Sequence, residues 1–291
     1  MMHHGFTAGA AAGLTCLLLA VSPSLAAAQD PPPDGWAAKG ELTTVMTAGN
    51  AEAFTFGIGA SLENRKGKNL LKLETGGLRT ESVIVSREAW GSATSFEIVK
   101  DENREKTAES YFARARYDKA LNQGLFAYGA LDWMRNTFAG IDSRTVAAVG
   151  AGNAWFDNER TRFKTNLAVT WTFQRDMVDD PAVANDYAGL RAGWEYWRKL
   201  TATTEFESRL VGDMSLDQTD DVRADFTNSL AVAINSALAL KPSLQVQWRN
   251  LPALVAVPLF TAGGGAPLGQ SVFAPLEKTD LQLRLALVVK I

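Results

Sequence analysis

Charged side chains spaced two residues apart are the chemistry-bearing feature of this chain. Lys72 and Glu74, Arg114 and Arg116, and Glu205, Glu207 and Arg209 follow that rhythm, Asp132, Arg191, Glu195 and Arg284 each stand between apolar neighbours, and Arg249 follows Trp248. Charges in such an arrangement can pair with one another or line a wet passage, but they match no catalytic signature. His3 and His4 are the only histidines and Cys16 the only cysteine. The other 288 positions therefore offer neither an imidazole base nor a thiolate, and the common metal ligands are missing with them. No Walker loop, dinucleotide fingerprint or calcium-loop pattern is present. The sequence thus points to no catalytic residue, no cofactor and no metal site.

The elements that carry these charges have a period of two. Residues 279–291 show it best: Leu281, Leu283, Leu285, Leu287, Val289 and Ile291 share one parity, against Gln282, Arg284, Ala286 and Lys290, with Val288 the apolar exception. Successive side chains of a strand point to opposite faces, so such a segment has one apolar and one polar face. The same alternation runs through residues 53–63, 163–174, 187–197 and 244–249, and more weakly through 71–77, 111–117, 125–133, 145–155, 202–212 and 226–234. With residues 36–47 and the last segment, about twelve strands are predicted.

An even set of roughly ten-residue strands, closed by a segment with an unbroken apolar face, predicts an all-β fold. The form expected is a transmembrane antiparallel up-and-down β-barrel with lipid outside and polar side chains in the lumen. The connections support it. With both termini placed in the periplasm, residues 64–68, 119–124, 156–160, 198–201 and 236–242 are short turns. Residues 80–107, 136–142, 176–185, 213–221 and 250–277 are loops on the other side, most of them longer; only Gly49-Asn50 is tight on that side. Trp36, Trp155 and Trp194 fall at predicted periplasmic strand ends and Trp133, Trp171 and Trp248 at external ends, all on the apolar face, as two aromatic girdles would require. The competing arrangement, a secreted soluble sandwich or lipocalin-like barrel with its apolar face inward, would place tryptophans mid-strand. Residues 250–277 include an apolar stretch interrupted by Pro252 and Pro258, a poor strand that could fold into the mouth or pack on its rim. Two sets of aspartates, Asp176, Asp179, Asp180 and Asp186, and Asp213, Asp217, Asp220 and Asp221, read as solvated loops rather than cation sites, since their spacing is irregular.

Residues 1–28 form a predicted secretory signal: an apolar core at 14–21, a break at Ser22-Pro23 and Ala26-Ala27-Ala28 before the cut. It lacks the usual Lys or Arg near its start. Gly13-Leu14-Thr15 fits a lipidation box poorly, so Cys16 is read as a signal residue. Residues 29–35 are a short linker, and residues 36–291 the barrel. The net charge of −3 points away from nucleic acid, and a mean hydropathy of −0.08 suits strands that are half polar.

Several stretches resemble the salt-induced outer-membrane protein family, a domain of unknown function of the 481 type. They are Thr47-Ala48-Gly49-Asn50, Leu125-Phe126-Ala127-Tyr128-Gly129, the run from Phe138 to Arg144, and Gly150-Ala151-Gly152. The resemblance spans roughly residues 36–291 and is densest in 125–152. Arg135-Asn136 stands where the family pattern leads one to expect Arg-Asp, so no role for an acid is carried over there. The resemblance implies a barrel in the outer membrane of a Gram-negative bacterium and brings no established activity.

The expected role is accordingly a structural or stress-related envelope component. Its lumen is expected to be mostly filled, lined by Lys39, Glu41, Glu63, Lys72, Glu74, Arg114, Arg116, Asp118, Asp132, Arg191, Glu195, Glu205, Glu207, Arg209, Asp225, Arg249 and Arg284, whose signs are mixed and nearly balanced. A narrow, weakly selective solute channel is the first alternative. A lipid-modifying enzyme is the second, disfavoured because outer-membrane lipases and acyltransferases generally need a histidine. Expected partners are outer-membrane lipid and lipopolysaccharide, and the barrel-assembly machinery through residues 279–291.

Overall fold

A computed structural model describes residues 34–47, 52–92, 95–181, 183–260 and 267–290. The predicted signal, nearly all of the linker, the Gly49-Asn50 hairpin and Ile291 lie outside the described residues. Fourteen strands follow in order: β1 (Gly35–Thr47), β2 (Glu52–Lys66), β3 (Asn69–Ser92), β4 (Ser95–Ala120), β5 (Leu125–Asn136), β6 (Ile141–Asp157), β7 (Thr161–Asp176), β8 (Asp186–Lys199), β9 (Thr204–Ser215), β10 (Val222–Ala233), β11 (Leu238–Arg249), β12 (Leu254–Phe260), β13 (Pro267–Pro275) and β14 (Thr279–Lys290). Twelve of them form a closed antiparallel barrel. Strands β1 to β11 pair in sequence, and β14 closes the ring between β11 and β1, with Thr43 opposite Ala286 and Lys39 opposite Lys290. Closure gives each of the twelve barrel strands a neighbour on both sides, the condition for crossing a bilayer with strands.

The faces are oriented as the alternation requires. On β14, Leu281, Leu283 and Leu285 are at least half exposed on the outside, while Ala286 and Val288 are buried within. On β7, Leu167, Val169, Trp171 and Phe173 lie outside, and Lys164, Asn166, Ala168, Thr170, Thr172 and Gln174 are buried inside. An apolar surface of this extent is what hydrocarbon requires and water penalises. The soluble alternative, with apolar residues inward, is excluded by these exposures. Val288 fits the inner face because Ala239 and Ala286 are buried on that face with it.

Two predicted loops are strands. Residues 80–107 continue β3 and β4 as one long hairpin, paired as far as Ser92 with Ser95. Leu254–Phe260 and Pro267–Pro275 pair as the separate β12–β13 ribbon, in which Val255 faces Ala274 and Val257 faces Val272. Pro258 is accommodated because the ladder shifts register between Pro258 and Phe260, and a two-stranded ribbon leaves one side of each strand free of partners. The base of this hairpin reaches across the barrel mouth. Ala253 is buried, and a Cβ added to Gly140 would lie 2.8 Å from the Ala253 methyl and 2.9 Å from Leu276 Cδ1. Gly140 ends a short 3₁₀ turn at φ 70°, so both its backbone and its contact call for glycine. Ala253 and Leu276 thus meet the β5–β6 connection at the mouth, where the sequence left residues 250–277 either to fold inward or to pack on the rim.

Candidate functional site: the charged lumen

The interior is filled unevenly. Toward β5–β8, Phe126, Tyr128, Ala148 and Ala168 form a small apolar cluster, against which Ala130 packs. Phe126 lies over Gly152, where a Cβ would run into the ring. Beside it a cavity of about 610 Å³ remains, lined from most of the barrel strands, with Tyr128 and Ala130 of the cluster on its wall.

Ion pairs cross this lumen. Lys72 Nζ donates to Glu195 Oε2 at 2.8 Å, joining β3 to β8. Arg209 Nη1 donates to Glu74 Oε2 at 3.2 Å and joins β9 to β3, six strands away in a ring of twelve. Arg116 holds Asp118 at 2.6 Å and Glu195 at 3.1 Å while its guanidinium stacks 4.1 Å from the Tyr128 ring centre. Tyr128 in turn donates to Asn166 Oδ1 at 3.1 Å. Arg191 grips Asp213 with both arms of its fork, at 2.7 and 3.2 Å, and also reaches Asp132; Arg144 shares Asp213 at 3.0 Å. Bidentate guanidinium–carboxylate contacts of this kind fix geometry as well as charge.

Nearer the mouth under the β12–β13 base, Arg223 is paired bidentately with Asp221 and donates to Gln174 at 2.6 Å, and Arg249 holds Asp176 at 3.2 Å. Asn136, 1% exposed, donates to Gln247 Oε1 at 3.0 Å, linking β5 to β11 directly across the ring. This is where an acid was expected on family grounds; the amide donates to a glutamine there, and a carboxylate in its place would accept only. Asp176, Asp213 and Asp221 are therefore not free loop carboxylates but turn inward onto arginines. Among the described residues no group of three or more His, Cys, Asp or Glu side chains could hold a metal ion.

Of the side chains singled out in the sequence, Lys39, Glu41, Glu63, Lys72, Glu74, Arg114, Arg116, Asp132, Arg191, Glu195, Glu205, Glu207, Arg209 and Arg284 line the cavity. Arg249 does not; it belongs to the pairs beneath the mouth. The cavity wall also carries Arg65, Arg162, Lys164 and Lys241. Lys164 could have been found from its parity on β7. Arg65 and Lys241 were assigned to turns because β2 runs on to Lys66 and β11 begins at Leu238. Trp197, also unforeseen, faces inward under the Arg162 guanidinium at 4.2 Å and donates to Glu205 at 3.4 Å. With these additions the wall holds eleven basic and seven acidic side chains, so the near balance of sign does not hold for the cavity.

Residues 40–255 match the family described as "Protein of unknown function, DUF481". The chain belongs to that family. The DUF481 match ends within β12, so β14, which closes the ring, lies beyond it. The chain is 24% identical over 163 residues to the Escherichia coli (strain K12) protein named "Uncharacterized protein YdiY", covering 56% of this chain and 60% of that one, less than two thirds of the relative's length. In three dimensions it is similar to the NanC porin, at 7% identity and a TM-score of 0.40 over 88% of this chain and 98% of that one. It is also similar to an anion-selective porin from Comamonas acidovorans, at 10% identity and a TM-score of 0.37 over 89% and 100%. The barrel itself rests on the strand pairing of this chain.

All six tryptophans named from the sequence lie on the outer face of the DUF481 barrel. Trp36 and Trp155 sit near the end that carries both termini, and Trp133, Trp171 and Trp248 near the opposite end. Trp194 is half-buried against the Phe226 ring, 6.0 Å away edge-on. Trp155 donates to Thr165 at 3.0 Å and Trp133 to Ser143 at 3.2 Å, so each indole N–H is satisfied without water.

Proposed function

We propose that this protein is an outer-membrane barrel closed at rest by its own ion pairs, a structural or stress-related component of a Gram-negative envelope rather than an enzyme. The observation that carries this reading is the pair of struts, Lys72–Glu195 and Arg209–Glu74, that tie opposite walls together across the lumen. With Phe126 and Tyr128 filling one side and the β12–β13 base over one mouth, the wet volume is a chamber rather than a tube. Residues 1–28 would be removed on Sec-type export with cleavage near Ala28, and the termini would face the periplasm. Residues 279–291 would engage the assembly machinery. The six tryptophans would form the girdles at the lipid headgroups, where lipopolysaccharide packs against one of them.

The cavity favours a second reading, a narrow solute channel, because 610 Å³ of polar space adjoins the struts. Planar-bilayer recording separates the two. The native protein is expected to give no stable conductance steps, and the double substitution Glu74→Gln with Glu195→Gln, which removes both struts, is expected to produce them. Steady steps from the native protein would decide for the channel. A lipid-modifying enzyme is disfavoured by the absence of histidine from positions 5–291; phospholipid hydrolysis by the purified barrel would reverse that.

A further inference from the structure

The lumen arginines are not equally occupied. Arg116, Arg144, Arg191 and Arg249 have side chains 10–16% exposed, each already committed to buried carboxylates. Arg114 and Arg209 differ: both are about a third exposed to the cavity, and the two converge from β4 and β9 on one carboxylate, Glu74, at 3.8 and 3.2 Å. Phe112 lies 4.7 Å beneath the Arg114 guanidinium and steadies it. Glu74 can balance only one of the two guanidiniums, and the acids opposite them in the sheet are engaged elsewhere: Asp132, facing Arg114, is held by Arg191, and Glu195, facing Arg209, by Lys72 and Arg116. Across the cavity the surplus has the same sign. Arg284 donates only to the neutral Gln245 and Gln282, and its Nε is buried without an acceptor. The acids that balance the overall lumen, such as Asp118 and Asp213, are not on the cavity wall.

We propose that the Arg114–Glu74–Arg209 junction is a binding site for a small oxyanion of the phosphate, sulfate or carboxylate class. Two guanidinium forks facing one cavity present several N–H donors in the planar geometry such oxygens accept. The ligand takes the share of Arg114 that Glu74, at 3.8 Å, holds only by charge and not by a hydrogen bond. The site goes beyond the closed-barrel reading and does not depend on it: a sealed chamber and a channel would both contain it. Bilayer recordings and binding measurements can therefore fail separately.

The test is calorimetric titration of inorganic phosphate, with sulfate in parallel, into the refolded full-length mature chain at low salt in a phosphate-free maltoside detergent. That choice excludes lipid headgroups as the source of the signal. Saturable binding is expected. Arg114→Ala should weaken it roughly tenfold or more, the loss of a charged hydrogen bond. Glu74→Gln should tighten it, because the competing carboxylate is gone. Heat-shifted electrophoretic mobility confirms that each variant is folded. If Arg114→Ala does not fold, Arg114→Lys, which keeps the charge and loses the fork, should still weaken binding. No saturable binding by the native protein, or binding indifferent to either substitution, overturns the assignment.

Discussion

Leu285→Arg places a cation near the middle of β14 on the outer face, between Leu283 and Leu287, in a strand that closes the ring. Leu285 is half exposed there and lies opposite Pro242 of β11, which offers no acid. A cation at mid-membrane on the lipid face of a barrel costs about 2–4 kcal/mol. At about 1.4 kcal/mol per tenfold, the folding equilibrium should fall by roughly thirty- to a thousandfold. Its neighbour in sequence gives the control. Arg284 faces the lumen, donates to two glutamine oxygens and forms no ion pair within 4 Å among the described residues. Its buried Nε already lacks an acceptor, so Arg284→Ala should cost about 1 kcal/mol or less. Denaturant unfolding of both variants in lipid vesicles, followed by tryptophan fluorescence, measures the two costs. Equal losses, or a mature chain that stays monomeric and soluble without detergent, would refute the face assignment and the membrane placement with it.

Other substitutions probe the interior. Arg191→Ala strands Asp132 and leaves Asp213 to Arg144 alone, and should destabilise by about 3–5 kcal/mol, whereas Arg191→Ala with Asp132→Asn should recover part of that; the temperature of the electrophoretic mobility shift reports both. Gly152→Val drives a side chain into the Phe126 ring and the Thr165 carbonyl and should cost about 1–3 kcal/mol in the same assay, with Phe126→Ala in the double variant relieving the ring contact. Gly140→Leu clashes with Ala253 and Leu276 and is strained at its positive φ, so it should lift the β12–β13 base and speed proteolysis between residues 254 and 275 without unfolding the barrel.

The twelve barrel strands were legible because hydrocarbon on one side and a polar lumen on the other impose a period of two on the sequence. Once the chain leaves that environment the constraint lapses. Residues 81–106 carry a mixture of charges and apolar residues with no dominant face, yet they pair along their length, since a hairpin needs only its own ladder. The β12–β13 hairpin was hidden by its prolines, which a two-stranded ribbon tolerates at a register shift and a continuous barrel strand generally does not. The strut partners were not legible at all. Parity predicts that Glu74 and Arg209 face inward; it does not predict that they meet, because that depends on the stagger of strands six places apart around the ring.

That stagger also explains why a lumen with no marked charge in sequence presents a cationic cavity. Bulk balance requires only that acids and bases be similar in number on the inner faces, and the inner-face residues named from sequence meet it. The bases, however, are mainly arginine and lysine, whose long stems reach into the cavity, while several of their partners are aspartates, whose short side chains keep the carboxylate at the wall. Asp118 and Asp213 show the consequence: each holds a base that reaches the cavity, Arg116 or Arg191, yet neither is on the cavity wall. Six of the seven acids that do reach the space are glutamates, one methylene longer, with Asp132 the exception, and two of them, Glu74 and Glu195, form the struts. Side-chain length therefore assigns the roles. Replacing either strut glutamate with aspartate should break its strut while keeping the charge. Glu74→Asp and Glu195→Asp should therefore together give conductance steps, as the paired glutamine substitutions do, and a silent bilayer from the aspartate pair would show that charge rather than reach holds the lumen shut.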